Sequence, residues 1–518
     1  MSLGRNILWN LAGLFWITLL VIWVTPILVR GLGLDAFGIW AVLSASTGYL
    51  SMLDFGLGNA LIRFLAAETE RGDREKAEAY FRSGLTLQLV QGTLAGGILV
   101  LAAPYMARHW FRIPPSLVSE AIVSFRICGL STLLGFLITS YAAVPAALRR
   151  FDLLTIRTVL FVTLQYLLFV LVLRWGGGLR EVVIANVIGC VVAWAFLFTV
   201  ARRLLPGFRL EPGWNTEAAR SFVRFGRYKV IAQASWTLMR EFDRIAIGLV
   251  LPVSQVSFYA VPLRLAQRTN VIVEQIASPF YPSVTRQITS RQTEALRAHY
   301  SNGVRLIGAV CLGALAVLGA LARPLLGVWL GDDFANMGTW ALRFLLMAYT
   351  AAAFFTLPSV VADAAGRPGI PAGILAVASL AHVPLVLIGI HLWGIPGAAL
   401  GLLAGTLILL AGAAVIHIRL PEMPPLGQTF GAIRGSLVAA LLTGGAGVLL
   451  AHTPFPGLGI VPLLLSLAAV SLLYALLLFA FRGMFPSDFR RLLEALRSLR
   501  RDAETMVHEN RVRAARER

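Results

Sequence analysis

The chain has 518 residues, of which 58% are hydrophobic and only 14% are charged, and it carries a net charge of +19. A soluble domain has about 25% charged residues, and a soluble core stops growing beyond about 250–300 residues. Part of this surface therefore needs lipid as its solvent, which excludes a soluble enzyme, a disordered chain and a disulfide scaffold. We expect an all-α polytopic membrane protein.

Fourteen apolar segments are long enough to cross a bilayer, since a transmembrane helix needs about 20 apolar residues. In chain order they are residues 7–29, 36–57, 84–103, 122–145, 153–173, 182–200, 230–251, 256–280, 304–321, 339–361, 370–390, 395–417, 433–451 and 458–481. The seventh, eighth and twelfth segments have the least certain ends.

The basic residues predict which side of the membrane each loop occupies. With a cytoplasmic N-terminus, 33 of the 45 basic residues lie in cytoplasmic segments, 8 lie in outer segments and 4 lie within spans. Cytoplasmic loops of membrane proteins are enriched in Lys and Arg, so both termini are predicted to be cytoplasmic. Because the charges fall between apolar spans, we expect no nucleic-acid partner.

The two halves of the chain resemble each other in the same orientation when one is displaced by about 220 residues. Asp54 then falls on Glu274, and the Trp175-Gly176 pair falls near Trp393-Gly394. An even number of spans separates the copies, so the repeats are parallel, as in transporters whose site lies between two lobes. This pattern predicts a six-helix lobe at 1–205, a cytoplasmic linker at 206–229, a six-helix lobe at 230–420, two additional spans at 421–482 and a basic tail helix on membrane lipids at 483–518.

The seventh and eighth spans contain most of the charges within lipid. Inserting a charged residue into a bilayer costs free energy, so a charged residue within a span indicates a functional role. At 100° per residue, Arg240 and Arg244 share a face that Gln233 continues, and Asp243 lies beside both arginines. Asp243 is then either an ion-pair partner of one arginine or a coupling residue.

The eighth span repeats this arrangement with Arg264, Arg268 and Gln275 on one line. No acidic residue lies three or four positions from either arginine, so each needs a distant partner or an anionic ligand. An alternative is that the span begins later and that Arg264 lies near an interface. We nevertheless assign the paired arginines and both glutamines to substrate binding.

Other charged residues are weaker candidates. Asp54 and Glu274 occupy related positions and could carry a coupling ion, either H⁺ or Na⁺, or could be helix-end acids near water. Arg30, Arg126 and Arg343 are substrate-binding candidates near the outer ends of spans, where a long side chain can also snorkel to water. The three cysteines predict neither a disulfide nor a metal site, and we expect no cofactor.

Three stretches resemble bacterial polysaccharide flippases of the multidrug/oligosaccharidyl-lipid/polysaccharide exporter superfamily. They are residues 26–40 (PILVRGLGLDAFGIW), residues 54–58 (DFGLG) with Arg63 after them, and Asp243-Arg244 ahead of residues 259–262 (YAVP). The resemblance implies two six-helix lobes around a central cavity, alternating access and location in the bacterial cytoplasmic membrane. It also implies transfer of a polyprenyl-diphosphate-linked oligosaccharide to the outer leaflet, with glycosyltransferases or a polymerase of the same pathway as partners.

The charge pattern agrees with a diphosphate substrate, because arginine forks match phosphate oxygens. Two alternatives stay open. A multidrug antiporter of the same fold would usually place acidic residues in its spans, and this chain places arginines there. A membrane polymerase or ligase of lipid-linked sugars should have a long outer loop, and the longest one predicted here is residues 104–121.

Overall fold

The computed structural model describes residues 3–277, 280–481 and 483. This part of the chain is helical almost throughout and forms no β-strand, only one isolated bridge. The helices are α1 (Leu3–Leu50), α2 (Leu57–Arg71), α3 (Arg74–Tyr105), α4 (Val118–Ala147), α5 (Phe151–Arg174), α6 (Leu179–Leu204), α7 (Thr216–Val250), α8 (Val253–Ala277), α9 (Phe280–Thr289), α10 (Thr293–Ala320), α11 (Ala322–Leu330), α12 (Asp332–Ala364), α13 (Gly369–Arg419), α14 (Leu426–Ala451) and α15 (Ile460–Ala480). The predicted fold class is confirmed.

Ten helical stretches of the described chain are long and apolar enough to span a membrane. Two of them, α1 and α13, are 48 and 51 residues long because each contains a reversal, at Gly33 and at Gly394. Helices α7 and α8 are also long enough, at 35 and 25 residues, but they are less apolar than these ten stretches. The number of fourteen crossings therefore stays a prediction.

Close contacts between glycines show the reversal in α13. A Cβ atom built on Gly389 would lie 2.1 Å from the carbonyl oxygen of Gly397, and one built on Gly397 would lie 1.8 Å from that of Gly389. Farther along the two arms, Gly412 meets Ile374. The arms on either side of Gly394 are therefore an antiparallel pair of helices in backbone contact.

The contacts of α1 with α5 show the reversal at Gly33. Gly31 packs against Leu173, whereas Trp40, nine residues later, packs edge-on against Phe169 with 5.6 Å between the ring centroids. Phe169 lies one helical turn before Leu173, so the chain of α1 has turned back. Gly33 has φ 77° and ψ 166°, a conformation open to glycine.

Matching turns support the internal repeat. Three pairs of residues with positive φ recur at offsets of 217 to 219 residues, namely Gly72 and Arg291, Arg149 and Gly366, and Gly176 and Gly394. At each of the four positions in the first two pairs, the next residue in the chain donates its backbone N–H to the carbonyl five residues before it. This hydrogen bond is a helix-ending motif. The two halves thus end corresponding helices in the same way.

The start of α7 lies earlier than the sequence predicts. The helix begins at Thr216, inside the segment 206–229 that we expect to be a linker, because the side chain of Asn215 caps it by accepting from Ala218 N at 3.0 Å. Phe222 then packs edge-on against Phe64, with ring centroids 5.6 Å apart. The first turns of α7 therefore belong to the packing of the N-terminal lobe. The predicted tail helix lies outside the described residues except for Gly483.

Candidate functional site

The two lobes separate around a cavity at one end of the bundle. We call this end, which holds α2, residues 206–215 and the α12–α13 turn, the basic end. The cavity has a volume of about 900 Å³. Its polar lining comes from α2, α7 and α12, with Asn59, Arg63, Ser221, Gln233, Thr356, Ser359 and Asp363. Of the predicted substrate-binding residues, this cavity contains Gln233.

The opposite end of the bundle, here the far end, is closed by contacts between the lobes. Ser257 donates its hydroxyl to the carbonyl of Leu34 at 2.7 Å. A Cβ atom on Gly38 would lie 2.0 Å from the carbonyl oxygen of Val253, so the lobes meet backbone to backbone there. Trp329 also donates its indole N–H to the carbonyl of Ile22 at 2.9 Å.

A short backbone bridge strengthens this closure. Arg112, in the loop after α3, donates its N–H to the carbonyl of Gly248 at 3.3 Å and accepts from Val253 N at 3.2 Å. Phe111 lies against Gly248 in the same contact. The lobes are therefore sealed at the far end and separated at the basic end.

The arginines of α7 have a local acid, but it is not the predicted one. Glu241 pairs with Arg244 at i,i+3, and both side chains are largely buried, with 9% and 13% exposed. Arg240 is 65% exposed, and its guanidinium lies 3.8 Å from the same carboxylate. Of the two alternatives for Asp243, the ion pair with one of these arginines is not what the structure shows. The (i, i+3) spacing of Glu241 and Arg244 was the signal for the correct pair.

Asp243 instead belongs to a buried polar cluster within the C-terminal lobe. It accepts a hydrogen bond from the hydroxyl of Tyr259, and its other carboxylate oxygen lies 2.8 Å from Nε2 of His382. The distance between Nε2 and this oxygen is short enough for an ion pair, but the angles are not those of a hydrogen bond. Neither ring nitrogen of His382 therefore has a hydrogen-bond partner in the described chain. All three residues are at most 2% exposed. Sequence reasoning missed His382, since its partner is 139 positions away.

The arginines of α8 have no carboxylate within ion-pair distance among the described residues. Arg264 lies over the ring of Phe37, with its guanidinium carbon 5.5 Å from the centroid. Arg268 lies near Tyr166 of α5, and both arginines are partly buried. Arg264 and Arg268 lie one helical turn apart on the same face of α8, so their like charges repel each other. The prediction of unpaired cations on α8 agrees with this geometry.

The four arginines form a ladder along the bundle axis. The contact of Asp243 with Tyr259 sets the level of α7 relative to α8. From the far end toward the basic end, the order is Arg244, Arg240, Arg264 and Arg268, over about 15 Å at 1.5 Å per residue. Gln233, which lines the cavity, is level with Arg268. We call these four residues the arginine ladder. Its levels run from that of Gln233 toward the sealed end, and none of the four arginines lines the cavity itself.

The two repeat-related acids have different surroundings. Asp54 ends a short 3₁₀ turn, accepts from the side chain of Gln88 and from Gly58 N at 3.2 Å, and lines a cavity of about 270 Å³ with Arg157. Glu274 is exposed on α8 and accepts from Asn270 at 3.3 Å. Gln275 is likewise exposed. The structure does not bring these two acids together.

The three remaining candidates lie toward the far end, away from the cavity. Arg30 donates to the carbonyl of Trp329 at 3.5 Å, across the lobe interface. Arg343 donates to the carbonyl of Gly319 at 3.0 Å and lies over the ring of Trp340. Arg126 is exposed on α4. These residues do not join the arginine ladder in this conformation.

Comparison with known proteins identifies the family. The family model described as "Polysaccharide biosynthesis protein" matches residues 27–339, which is more than half of the chain. The chain belongs to this polysaccharide biosynthesis protein family. Membership confirms the resemblance found in residues 26–40 and 54–58.

Relatives of this family member agree with the assignment. The chain is 25% identical over 352 residues to the uncharacterized membrane protein EpsK of Bacillus subtilis, covering 67% of this chain and 69% of that protein. It is 21% identical over 401 residues to a Shigella flexneri protein provisionally named an O-antigen transporter, covering 77% and 94%.

Solved structures show the same fold. The lipid II flippase MurJ, in an inward closed conformation, has a TM-score of 0.70 at 12% identity and covers 90% of this chain and 98% of its own. An inward-facing multidrug resistance MATE transporter of the MOP superfamily has a TM-score of 0.66 at 16% identity and covers 86% and 96%. This family member therefore has the fold of that superfamily.

Proposed function

We propose that this family member is a flippase that moves a polyprenyl-diphosphate-linked oligosaccharide from the cytoplasmic to the outer leaflet. The observation that carries the proposal is the arginine ladder. Its α8 members have no carboxylate partner in the described chain, and its levels run from that of the cavity residue Gln233 toward the sealed end. Bidentate guanidinium contacts suit phosphate oxygens. An anionic head that enters at the basic end would meet cations along its path.

Alternating access supplies the transport step. The present conformation has the cavity at the basic end and backbone contacts at the far end, so moving the head outward requires the contacts of Gly38 and Ser257 to break. Gly38→Ala places a methyl group where the carbonyl of Val253 lies. It should therefore favour the conformation open at the far end, as measured by labelling of an introduced cysteine at Leu34 with an impermeant reagent.

Family membership and the O-antigen transporter relative support a polysaccharide-related substrate. A multidrug antiporter shares the fold, but the four cations of the arginine ladder would repel cationic drugs. We infer transport rather than polymerase or ligase chemistry because the Shigella flexneri relative is named as a transporter.

The reconstituted protein in vesicles tests this function directly. We expect a fluorescent polyprenyl-diphosphate oligosaccharide to cross the bilayer only in vesicles that contain the protein. A cationic dye should not cross the bilayer of the same vesicles. Dye movement without oligosaccharide movement would favour the antiporter and contradict the flippase.

The coupling ion is proposed to bind in the Asp243–Tyr259–His382 cluster or at Asp54. The cluster supports an ion or proton site because a buried carboxylate lies against an imidazole without hydrogen-bond partners. Replacing Asp54 and Glu274 together by Asn and Gln tests the alternative pair. If that double variant transports fully at every pH while Asp243→Asn loses ion dependence, the cluster is the coupling site.

The basic end is proposed to be cytoplasmic, in the bacterial inner membrane. The bias of 33 to 8 basic residues supports this orientation. Reporter fusions after Phe481 and after Pro252 should report the cytoplasm and the outside, respectively. The reversed pair of results would reverse the proposed direction of transport.

A further inference from the structure

The first turns of α13 separate two spaces of different character. One face of this segment lines the cavity and the other lines an apolar groove on the outside of the C-terminal lobe. The cavity face consists of Pro368, Pro371, Ala372 and Leu375, and the groove face consists of Gly369, Ile370, Gly373, Ile374 and Val377. At 100° per residue these two faces point in opposite directions. One helix thickness therefore lies between the cavity and the groove.

The second arm of α13 forms the other wall of the groove. It contributes Ile408, Ala411, Gly412 and Val415, and the groove has a volume of about 520 Å³. From Gly369 to Val377 the groove is about 12 Å long at 1.5 Å per residue. The hydrocarbon half-thickness of a bilayer is about 15 Å, so the groove covers most of the depth of one leaflet.

Two arginines lie at the end of the groove that faces the basic end. Arg419 lines that end, and Arg367 donates to the backbone carbonyl of Arg419 at 3.3 Å. Neither guanidinium has a carboxylate within ion-pair distance among the described residues. Arg367 immediately precedes Pro368 of the cavity wall, so both cations lie where the route around the start of α13 joins groove and cavity.

We propose that this groove binds the polyprenyl tail of the lipid-linked substrate while its head occupies the cavity, with the diphosphate passing Arg367 and Arg419. The inference rests on the proposed function. A molecule with a long apolar tail, an anionic linkage and a large polar head matches the groove, the two arginines and the cavity in that order. A phospholipid has the tail and the charge but no head that reaches the cavity.

Two glycines allow the groove to be filled without disturbing the fold. A Cβ atom on Gly369 or Gly373 meets no atom within 4 Å, so Gly369→Leu and Gly373→Leu place their side chains in the groove itself. Gly444 and Gly445 of α14 have the same open surroundings. Gly444→Leu and Gly445→Leu are therefore matched controls for the added side chain and the lost glycine.

The experiment compares two substrates with the same diphosphate oligosaccharide, one on a long polyprenyl chain and one on a short prenyl chain, in vesicles at matched protein levels. We expect Gly373→Leu to lower the flipping rate of the long-chain substrate roughly tenfold, the equilibrium equivalent of about two displaced methylene groups. The short-chain substrate should be flipped at the wild-type rate, and the α14 controls should flip both.

Each other result overturns a separate claim. Long-chain flipping by Gly373→Leu at the rate of the α14 controls would exclude the groove as the tail site and leave the flippase intact. An equal loss with both substrates would place the effect in the fold or the cavity and contradict the proposal. A third result would show that a structural lipid fills the groove. In that case the flipping rate of the wild type would depend on phospholipid composition, that of Gly373→Leu would not, and the length of the substrate tail would have no influence on either. Failure of the wild type to flip either substrate would refute the proposed function itself.

Discussion

The arginines of α7 and those of α8 lie at successive levels of one ladder but have different partners. Arg244 is buried against Glu241, and the exposed Arg240 lies near the same carboxylate. Arg264 and Arg268 are partly buried without a carboxylate in ion-pair distance in the described chain, and one of them lies only over an aromatic ring. A charge buried with its counterion stabilises the lobe, whereas a charge without one is available to an anion. We therefore propose a structural role for Arg244 of α7 and a substrate-binding role for the arginines of α8.

The largest expected effect tests the structural role of Arg244 by removing the carboxylate of Glu241. In Glu241→Gln, Arg244 keeps its charge in a buried position without a carboxylate, and breaking a buried pair in this way costs about 3–5 kcal/mol. We expect a large fall in thermal stability in detergent. Glu274→Gln, which changes an exposed acid on α8, should leave stability unchanged. Equal stability of both variants would show that Arg244 does not depend on Glu241.

The substrate side is tested by Arg264→Ala and Arg268→Ala. A charge-assisted hydrogen bond contributes about 1.5–3 kcal/mol, so each variant should flip the lipid-linked oligosaccharide at least about tenfold more slowly with little loss of stability. Arg→Lys should recover part of the rate, because an ammonium cannot replace a planar fork. Arg174→Ala, at the far end of α5, is the control. If the α8 variants match that control, the ladder does not bind the diphosphate.

A smaller loss of stability is expected at Asp243, the acid of α7 whose side chain contacts α8. Tyr259→Phe removes the hydroxyl that donates to buried Asp243, and a hydrogen bond to a charged group contributes about 1.5–3 kcal/mol. Tyr474→Phe removes a similar buried bond to the neutral carbonyl of Ala309. We expect chemical denaturation to show a larger loss for Tyr259→Phe. A larger loss for Tyr474→Phe would show that the bond to Asp243 is not the stronger of the two.

The sequence predicts the fold better than it predicts the pairing of charges. Hydropathy, loop charge and the repeat indicate a two-lobed helical bundle, because each depends on local composition over many residues. The partner of Asp243 depends on which way one side chain turns and on His382 in a distant helix. Helical periodicity predicts that Asp243 lies beside two arginines, but it contains no information on the competing Tyr259. The break after α1 at residues 51–54 also interrupts a segment that is apolar to residue 57.

The smallest expected effect belongs to Arg240, and it decides whether the comparison of α7 with α8 holds. Its side chain is 65% exposed, and the nearby carboxylate already pairs with Arg244. An exposed ion pair contributes about 0–1 kcal/mol, so Arg240→Ala should leave stability nearly unchanged. Because Glu241 offsets part of its charge, flipping should fall by less than in Arg264→Ala, measured in the same vesicles. A greater loss of flipping in Arg240→Ala would move the diphosphate contact from α8 to α7, and the local acid would then not distinguish structural from substrate-binding arginines.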